Sequence, residues 1–365
     1  MDFALSEEQE LLADSLRRFL EKECPITRVR DLVAEEPGRD GGVWKALCEL
    51  GVAGLLVPEE HGGSGLGLLD AAVAAECLGW GAAPAPFLAS SVMAPIALLE
   101  AGSDEQRARW LPRIATGASR IGVAATELVS RRDGAGIELR DGRLHGLALM
   151  VFDAVDADHF LVPVDAGRSL ALVDAQASGL ASTLLRTIDR TRGFAELHFD
   201  GAPAAEWVGE QGSAGAASRR MLDAGRVVLA ADILGASERS LELAVAYAMQ
   251  RKQFGRVIAS FQAVKHMCAE MAAELEPARS LVWYAAHAFD HVPEESPLMA
   301  CHAKAHLSEV GPGIVRGATE VHGGIGFTDE QNLHYWFKRV GVDRQLLGAP
   351  EALREEAARL QGWTA

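Results

Sequence analysis

Positive charge is scarce in this chain: 35 Lys and Arg stand against 51 Asp and Glu, the formal net charge is -16, and no run of basic residues occurs. Nucleic-acid binding needs a concentrated cationic surface that displaces counterions, so that class of partner is excluded. An uninterrupted apolar stretch of the ~20 residues a membrane span requires is also missing. The first ten residues carry three Glu and one Asp, where a secretory signal would start basic and continue apolar. Five cysteines (Cys24, Cys48, Cys77, Cys268 and Cys301) form no C-x-x-C pair, and their odd number in 365 residues argues against a disulfide framework. They read as reduced thiols, and the expected compartment is the cytoplasm. No G-x-S-x-G nucleophile elbow occurs, and His302 and His306, four apart beside Cys301, lack the H-E-x-x-H pattern or a further ligand pair that a zinc site would need. The glycines from Gly62 to Gly67 miss the G-x-G-x-x-G spacing of a dinucleotide fingerprint.

What remains is ample material for a soluble core, with 49% hydrophobic and 24% charged residues. Three textures follow one another. Residues 1–118 alternate helix-like segments with Pro and Gly punctuation: Ser6 can cap a helix running through Glu23, and Val43 to Leu50 and Leu68 to Trp80 are two more. Residues 119–205 switch to short alternating runs, with Asp141-Gly142 between two of them as a hairpin signal. Residues 206–365 are helical again. No proline interrupts the chain between Pro203 and Pro277, and Val227, Val228, Ala231, Leu234, Leu241, Val245 and Met249 recur at helical spacing. The Gly212 to Ser218 stretch reads as a linker or loop.

Four segments are the most specific signals. Met1-Asp2-Phe3 with Ser6-Glu7-Glu8-Gln9 opens the chain, and Gly51-Val52-Ala53-Gly54-Leu55-Leu56-Val57-Pro58 runs on to Gly67. Tyr247-Ala248-Met249-Gln250-Arg251-Lys252-Gln253-Phe254-Gly255 continues to Phe261-Gln262-Ala263-Val264-Lys265-His266, and Val321-His322-Gly323-Gly324-Ile325-Gly326-Phe327-Thr328 lies near the end. In this order the chain resembles the acyl-CoA dehydrogenase family over nearly its whole length. The resemblance implies a mainly α fold with a middle β domain, in three parts: an N-terminal helical domain, a β-barrel-like domain and a C-terminal four-helix bundle. It also implies FAD as cofactor, an acyl-CoA substrate, electron-transfer flavoprotein as redox partner and an oligomer. By the same resemblance Arg251, with Gln253 and Phe254, reaches across a subunit interface to the flavin diphosphate, where a planar guanidinium suits paired phosphate oxygens. Gly323 and Gly324 let backbone approach the nucleotide because a Cβ would intervene. Glu320 stands where the family commonly has Gln.

Other positions depart from the family. Its catalytic carboxylate lies either in a Tyr-Glu-Gly-Thr-like segment near the C-terminus, here Leu346-Leu347-Gly348-Ala349-Pro350-Glu351 with Gly348 read at the glutamate position, or just before an arginine on the long helix, here Gly225 before Arg226. Neither glycine can take a proton; Glu351 and Asp343 lie near enough to Gly348 in sequence to be substitutes for the base. On the flavin-ring side Thr126 is kept in Ala125-Thr126-Glu127-Leu128, the glycine-serine turn after it is not, and Met150-Val151-Phe152 replaces Trp-Ile-Thr. The expectation is a family member acting in α,β-dehydrogenation of a bulky acyl-CoA thioester as the base-lacking subunit of a homologous hetero-oligomer, with Arg226 near the thioester. Some actinobacterial sterol-degrading α2β2 members are similar. A flavin-dependent monooxygenase on the same fold, or a non-catalytic structural subunit, are the alternatives.

Overall fold

The computed structural model describes residues 4–35, 38–39, 42–130 and 132–363. Met1, Asp2 and Phe3 of the motifs above therefore lie outside the described residues. Twelve α-helices are formed by the described residues: α1 (Glu7–Glu23), α2 (Ile26–Glu35), α3 (Val43–Glu49), α4 (Leu68–Trp80), α5 (Ala94–Ala101), α6 (Asp104–Ala115), α7 (Thr126–Val129), α8 (Gly215–Gln250), α9 (Gln262–His291), α10 (Ser296–His322), α11 (His334–Asp343) and α12 (Pro350–Leu360). The strands are β1 (Ile121–Val123), β2 (Gly136–Arg140), β3 (Arg143–Val151), β4 (His159–Val164), β5 (Ser169–Asp174), β6 (Leu180–Leu185), β7 (Phe194–Ala202), β8 (Glu206–Trp207), β9 (Lys252–Gln253) and β10 (Arg256–Val257). Helices thus precede and follow a central block of β-sheet. Contacts group the chain into two interleaved units, one of residues 32–71 and 84–226, the other of residues 1–31, 72–83 and 227–365.

The first unit holds two four-stranded sheets. One has the order β1-β4-β5-β8 with β1 parallel to β4, and the other the antiparallel order β2-β3-β7-β6. Alternate residues of both turn into one core, with Ile137, Leu144, Ala148 and Phe199 from the second sheet against Phe160, Val162, Ala171 and Val173 from the first. The Asp-Gly pair makes the β2–β3 turn, with Asp141 at φ +50° and Gly142 at φ +73°, the left-handed pair that a two-residue hairpin needs. Near the chain's Pro-rich stretch, Leu88 to Met93 form a wholly buried π-helical turn. Its Ala89 amide donates to the Asp153 carboxylate at 2.7 Å, which anchors the turn to the chain two residues beyond the end of β3.

The second unit begins with a capping box. Ser6 Oγ accepts from the Gln9 amide and Gln9 Oε1 from the Ser6 amide, so α1 starts where its sequence signal stands. The long middle of α8 is buried from Val227 to Ala236, too apolar all round for a surface helix. It packs closely on α4: a Cβ added at Gly235 would fall 1.8 Å from the Glu76 carbonyl oxygen, and one at Gly79 would fall 2.1 Å from that of Asp232. Across this seam the Arg339 guanidinium donates to both oxygens of Asp232, at 2.7 and 2.6 Å, and to the Ala83 carbonyl at 3.1 Å. Helices α9 and α10 continue through Pro277 and Pro312. The expected linker from Gly212 to Ser218 is shorter than its composition suggests, because α8 already begins at Gly215 and Ser218 Oγ donates to the Gly167 carbonyl at 2.8 Å. Small side chains that look flexible in sequence here form the first helical turn. Among the described residues no helix is long and apolar enough to cross a membrane.

Candidate functional site

In the second unit the two segments expected to hold the nucleotide meet. Tyr247, near the end of α8, stacks on His322, the last residue of α10, with ring centroids 4.4 Å apart and planes 23° from parallel. His322 Nδ1 lies 2.8 Å from the Ala318 carbonyl oxygen, and burial pushes its pKa below the usual histidine value. The ring is therefore held neutral and apolar enough to stack. Beyond Tyr247 the chain leaves α8 at Arg251 and turns through the β9–β10 hairpin, where Phe254 at φ +52° and Gly255 at φ +77° make the two-residue turn. A left-handed conformation is unfavourable for a bulky residue, yet Phe254 adopts it and remains 92% exposed. Arg251 is exposed and its guanidinium has no ion-pair partner among the described residues. Beyond His322, Gly323 at φ +67° breaks α10, and an added Cβ at Gly323 or Gly324 would meet nothing within 4 Å. Gly323 and Gly324 thus leave open space beside bare backbone, and Arg251 leaves an uncommitted cation. These features fit the diphosphate and nucleotide end of FAD. Glu320 is exposed on α10.

The residues expected at the flavin ring belong to the first unit and fit less well. Thr126 Oγ1 donates to the Met150 carbonyl at 3.4 Å, and Glu127 accepts from the Leu149 amide at 2.8 Å. Both polar groups of α7 are thus turned to the end of β3, where a bulge between Ala148 and Val151 sets Met150 at φ +49°. Burial raises the Glu127 pKa, partly offset by the amide it accepts from. Phe152 is buried in the core, edge-on to Phe194 at 6.2 Å, so it offers no hydroxyl to a ligand and no exposed ring. Beside α7 opens a cavity of about 420 Å³ lined by Glu127, Leu128, Ile137, Pro163 and Arg168 among others, where the family's glycine-serine turn is replaced.

The remaining residues singled out in the sequence are buried or occupied. Gly225 and Arg226 lie inside α8, and Arg226 Nη1 is 3.4 Å from the equally buried Asp223. Gly348 is buried in the loop between α11 and α12. Asp343 is fully buried at the end of α11, whereas Glu351 is exposed and 3.3 Å from Arg344 Nη2. Cys301 faces Ala305, Leu353 and Ala357 in a small core, away from service as a ligand, and among the described residues no three His, Cys, Asp or Glu side chains cluster to hold a metal ion.

Helices before and after a block of β-strands in chain order, with an exposed hairpin and a glycine pair at the ends of α8 and α10, are the outline of the acyl-CoA dehydrogenase fold. The acyl-CoA dehydrogenase N-terminal domain profile matches residues 6–118, and the C-terminal domain profile matches residues 214–361. The acyl-CoA dehydrogenase IpdE2 of Mycolicibacterium smegmatis is 34% identical over 98% of this chain and 99% of its own. Among solved structures, a variant of the Tcur3481-Tcur3483 steroid ACAD is 30% identical, covers 98% of both chains and has a TM-score of 0.88. The ChsE4-ChsE5 complex from Mycobacterium tuberculosis is 27% identical over the whole of both chains with a TM-score of 0.91, and PigA, solved as an FAD complex, is 25% identical over the same extent with a TM-score of 0.89. The chain belongs to the acyl-CoA dehydrogenase family.

Proposed function

We propose that this chain is the base-lacking subunit of a hetero-oligomeric acyl-CoA dehydrogenase acting on a bulky acyl-CoA thioester. The observation that carries the reading is an asymmetry. The nucleotide-side elements (Arg251, Gln253, Phe254, Gly323 and Gly324) are exposed, and Arg251 has no ion-pair partner among the described residues, while on the ring side Phe152 is buried and no acidic side chain stands at Gly225 or Gly348. A subunit that lends a phosphate clamp to its neighbour's cofactor would show this pattern. FAD, when bound, supplies the two-electron oxidising capacity of the reaction. In this reading Arg251 meets the diphosphate, Gln253 and Phe254 cover the nucleotide, and the glycine pair admits it. Thr126 keeps α7 attached to β3 as a wall, and Arg226, neutralised by Asp223, underlies the thioester region. The carboxylate that takes the α-proton comes from the partner chain. That relatives of this chain occur as the ChsE4-ChsE5 pair and as a two-chain steroid ACAD favours a second, homologous subunit and a polycyclic acyl group. Electron-transfer flavoprotein is the proposed electron acceptor.

Co-expression with a homologous partner tests this. The expected outcome is one FAD per heterodimer and acyl-CoA-dependent reduction of an acceptor dye, with little flavin on the chain purified alone. A full complement of FAD and turnover from this chain by itself would defeat the division of labour.

A further inference from the structure

The two rings that meet between the ends of α8 and α10 each belong to a segment braced on its own side. On the α8 side, the Tyr247 carbonyl accepts from the Arg251 amide at 2.9 Å, and the Arg251 carbonyl accepts from the Ile258 amide at 2.8 Å. One helical turn therefore connects the Tyr247 ring to the base of the β9–β10 hairpin. The hairpin is held again just before α9: Phe254 lies edge-on to Phe261 with centroids 6.1 Å apart, and the Arg256 guanidinium sits 4.1 Å over the Phe261 ring. On the α10 side, the backbone at Gly326 packs onto His322. An added Cβ there would fall 2.9 Å from the His322 Cβ and 2.6 Å from the Thr319 carbonyl oxygen. The turn through Gly323 and Gly324 is thus folded back over the same histidine.

His322 is buried within this junction. A carbonyl oxygen can only accept, so Nδ1, 2.8 Å from the Ala318 oxygen, carries the proton of the neutral ring and Nε2 is left bare. A second proton has to enter at Nε2 and place a charge inside the stack, which burial opposes. The surroundings do not offset that charge. Tyr247 faces the ring from α8 and the Gly326 backbone from the following turn, while α9 sets the neutral Met271 against Gly317, further back along α10. Arg316 and Glu320 on α10 are exposed, and among the described residues no charged side chain contributes to the shift at His322. We propose that the Tyr247–His322 stack is the joint that fixes the β9–β10 hairpin against the glycine pair, that both residues thereby position Arg251, and that the joint opens when the imidazole takes its second proton. In the opened form the ring is solvated and titrates at its ordinary value of 6.5, whereas in the stack it resists protonation. As pH falls through that value the opened form takes up the proton first, so the closed joint is favoured above it and progressively lost below it.

Hydrogen exchange on the full-length chain tests the joint without any cofactor. With rates corrected for the intrinsic effect of pH, protection in the peptide from Ala248 to Ile258 should fall about two- to tenfold between pH 7.5 and 5.5, while the β2–β3 hairpin keeps its own. His322→Ala should show the lowered protection already at pH 7.5. His322→Phe, which keeps an aromatic face and takes no proton, should hold protection constant across the range. Unchanged protection in His322→Ala overturns the joint. A pH dependence that persists in His322→Phe, or that appears equally in the β2–β3 hairpin, overturns its opening through His322. The cofactor half rests on the acyl-CoA dehydrogenase reading above. In the complex assembled with a homologous partner and FAD, His322→Ala should lower flavin retention on dialysis about two- to tenfold at neutral pH, and His322→Phe should restore it. If exchange behaves as expected and retention is equal in all three chains, it is the reading of Arg251 as a flavin contact that fails, and the joint stands.

Discussion

Arg251 brings its charge to the surface with no internal counter-ion, so its replacement should leave the fold alone and act on the anion it meets. A charge-assisted contact contributes about 1.5–3 kcal/mol. Arg251→Ala is therefore expected to weaken FAD retention in the assembled complex by roughly 10- to 100-fold, measured by flavin fluorescence on dialysis, with an unchanged melting temperature. Arg251→Lys, which loses the paired fork, should recover only part of it. Gly235 is the opposite kind of residue. An alanine methyl there would meet the Glu76 carbonyl oxygen at 1.8 Å, which cannot yield without moving α4, so Gly235→Ala should cost about 1–3 kcal/mol in urea unfolding. Sequence alone made Arg251 legible, because a whole motif surrounds it. It could not reveal Gly235, whose importance comes from backbone brought close by packing.

At the scale of elements, the stack of Tyr247 on His322 closes the junction between the end of α8 and the end of α10. Burial holds His322 below its ordinary value of 6.5, as it does His159 and His334. Above that value the folded and unfolded chains are both neutral at these rings. As pH falls below about 6.5 the unfolded chain takes up protons first, so stability present at neutral pH is progressively lost towards the depressed folded values. Urea midpoints measured from pH 7.5 to 5.5 should decline, and His322→Phe, which preserves an aromatic face, should make that decline shallower. The helices from Ser6 to Glu23 and from Leu68 to Trp80, and the hairpin at Asp141-Gly142, were readable because a cap, an apolar period and a turn pair are local signals. The π-helical turn from Leu88 to Met93 was not readable, since the Asp153 carboxylate that anchors it lies more than sixty residues away in the chain. The first turn of α8 was hidden for a compositional reason: Gly215, Ala216, Ala217 and Ser218 look like a flexible tract until Ser218 is bonded to Gly167.

For the whole molecule, the net charge of -16 favours dispersal in water, but it does not cover local apolar surface. If this chain lends its nucleotide clamp to a homologous partner, light scattering of an equimolar mixture should give a complex with two chains of each kind, and its flavin should follow the partner rather than this chain. Varying the ratio of the two chains decides the point: flavin content should saturate at one to one.

The apolar side chains left exposed at the hairpin tip and near the ends of α8 and α10 have a consequence of a different order. Phe254, Phe327 and Met249 show 92%, 77% and 61% of their surface to water, and no cell leaves such groups bare without cost. A polypeptide made in excess of its companion would be recognised by chaperones and proteases and cleared, so its abundance in vivo would track the companion's synthesis rather than its own.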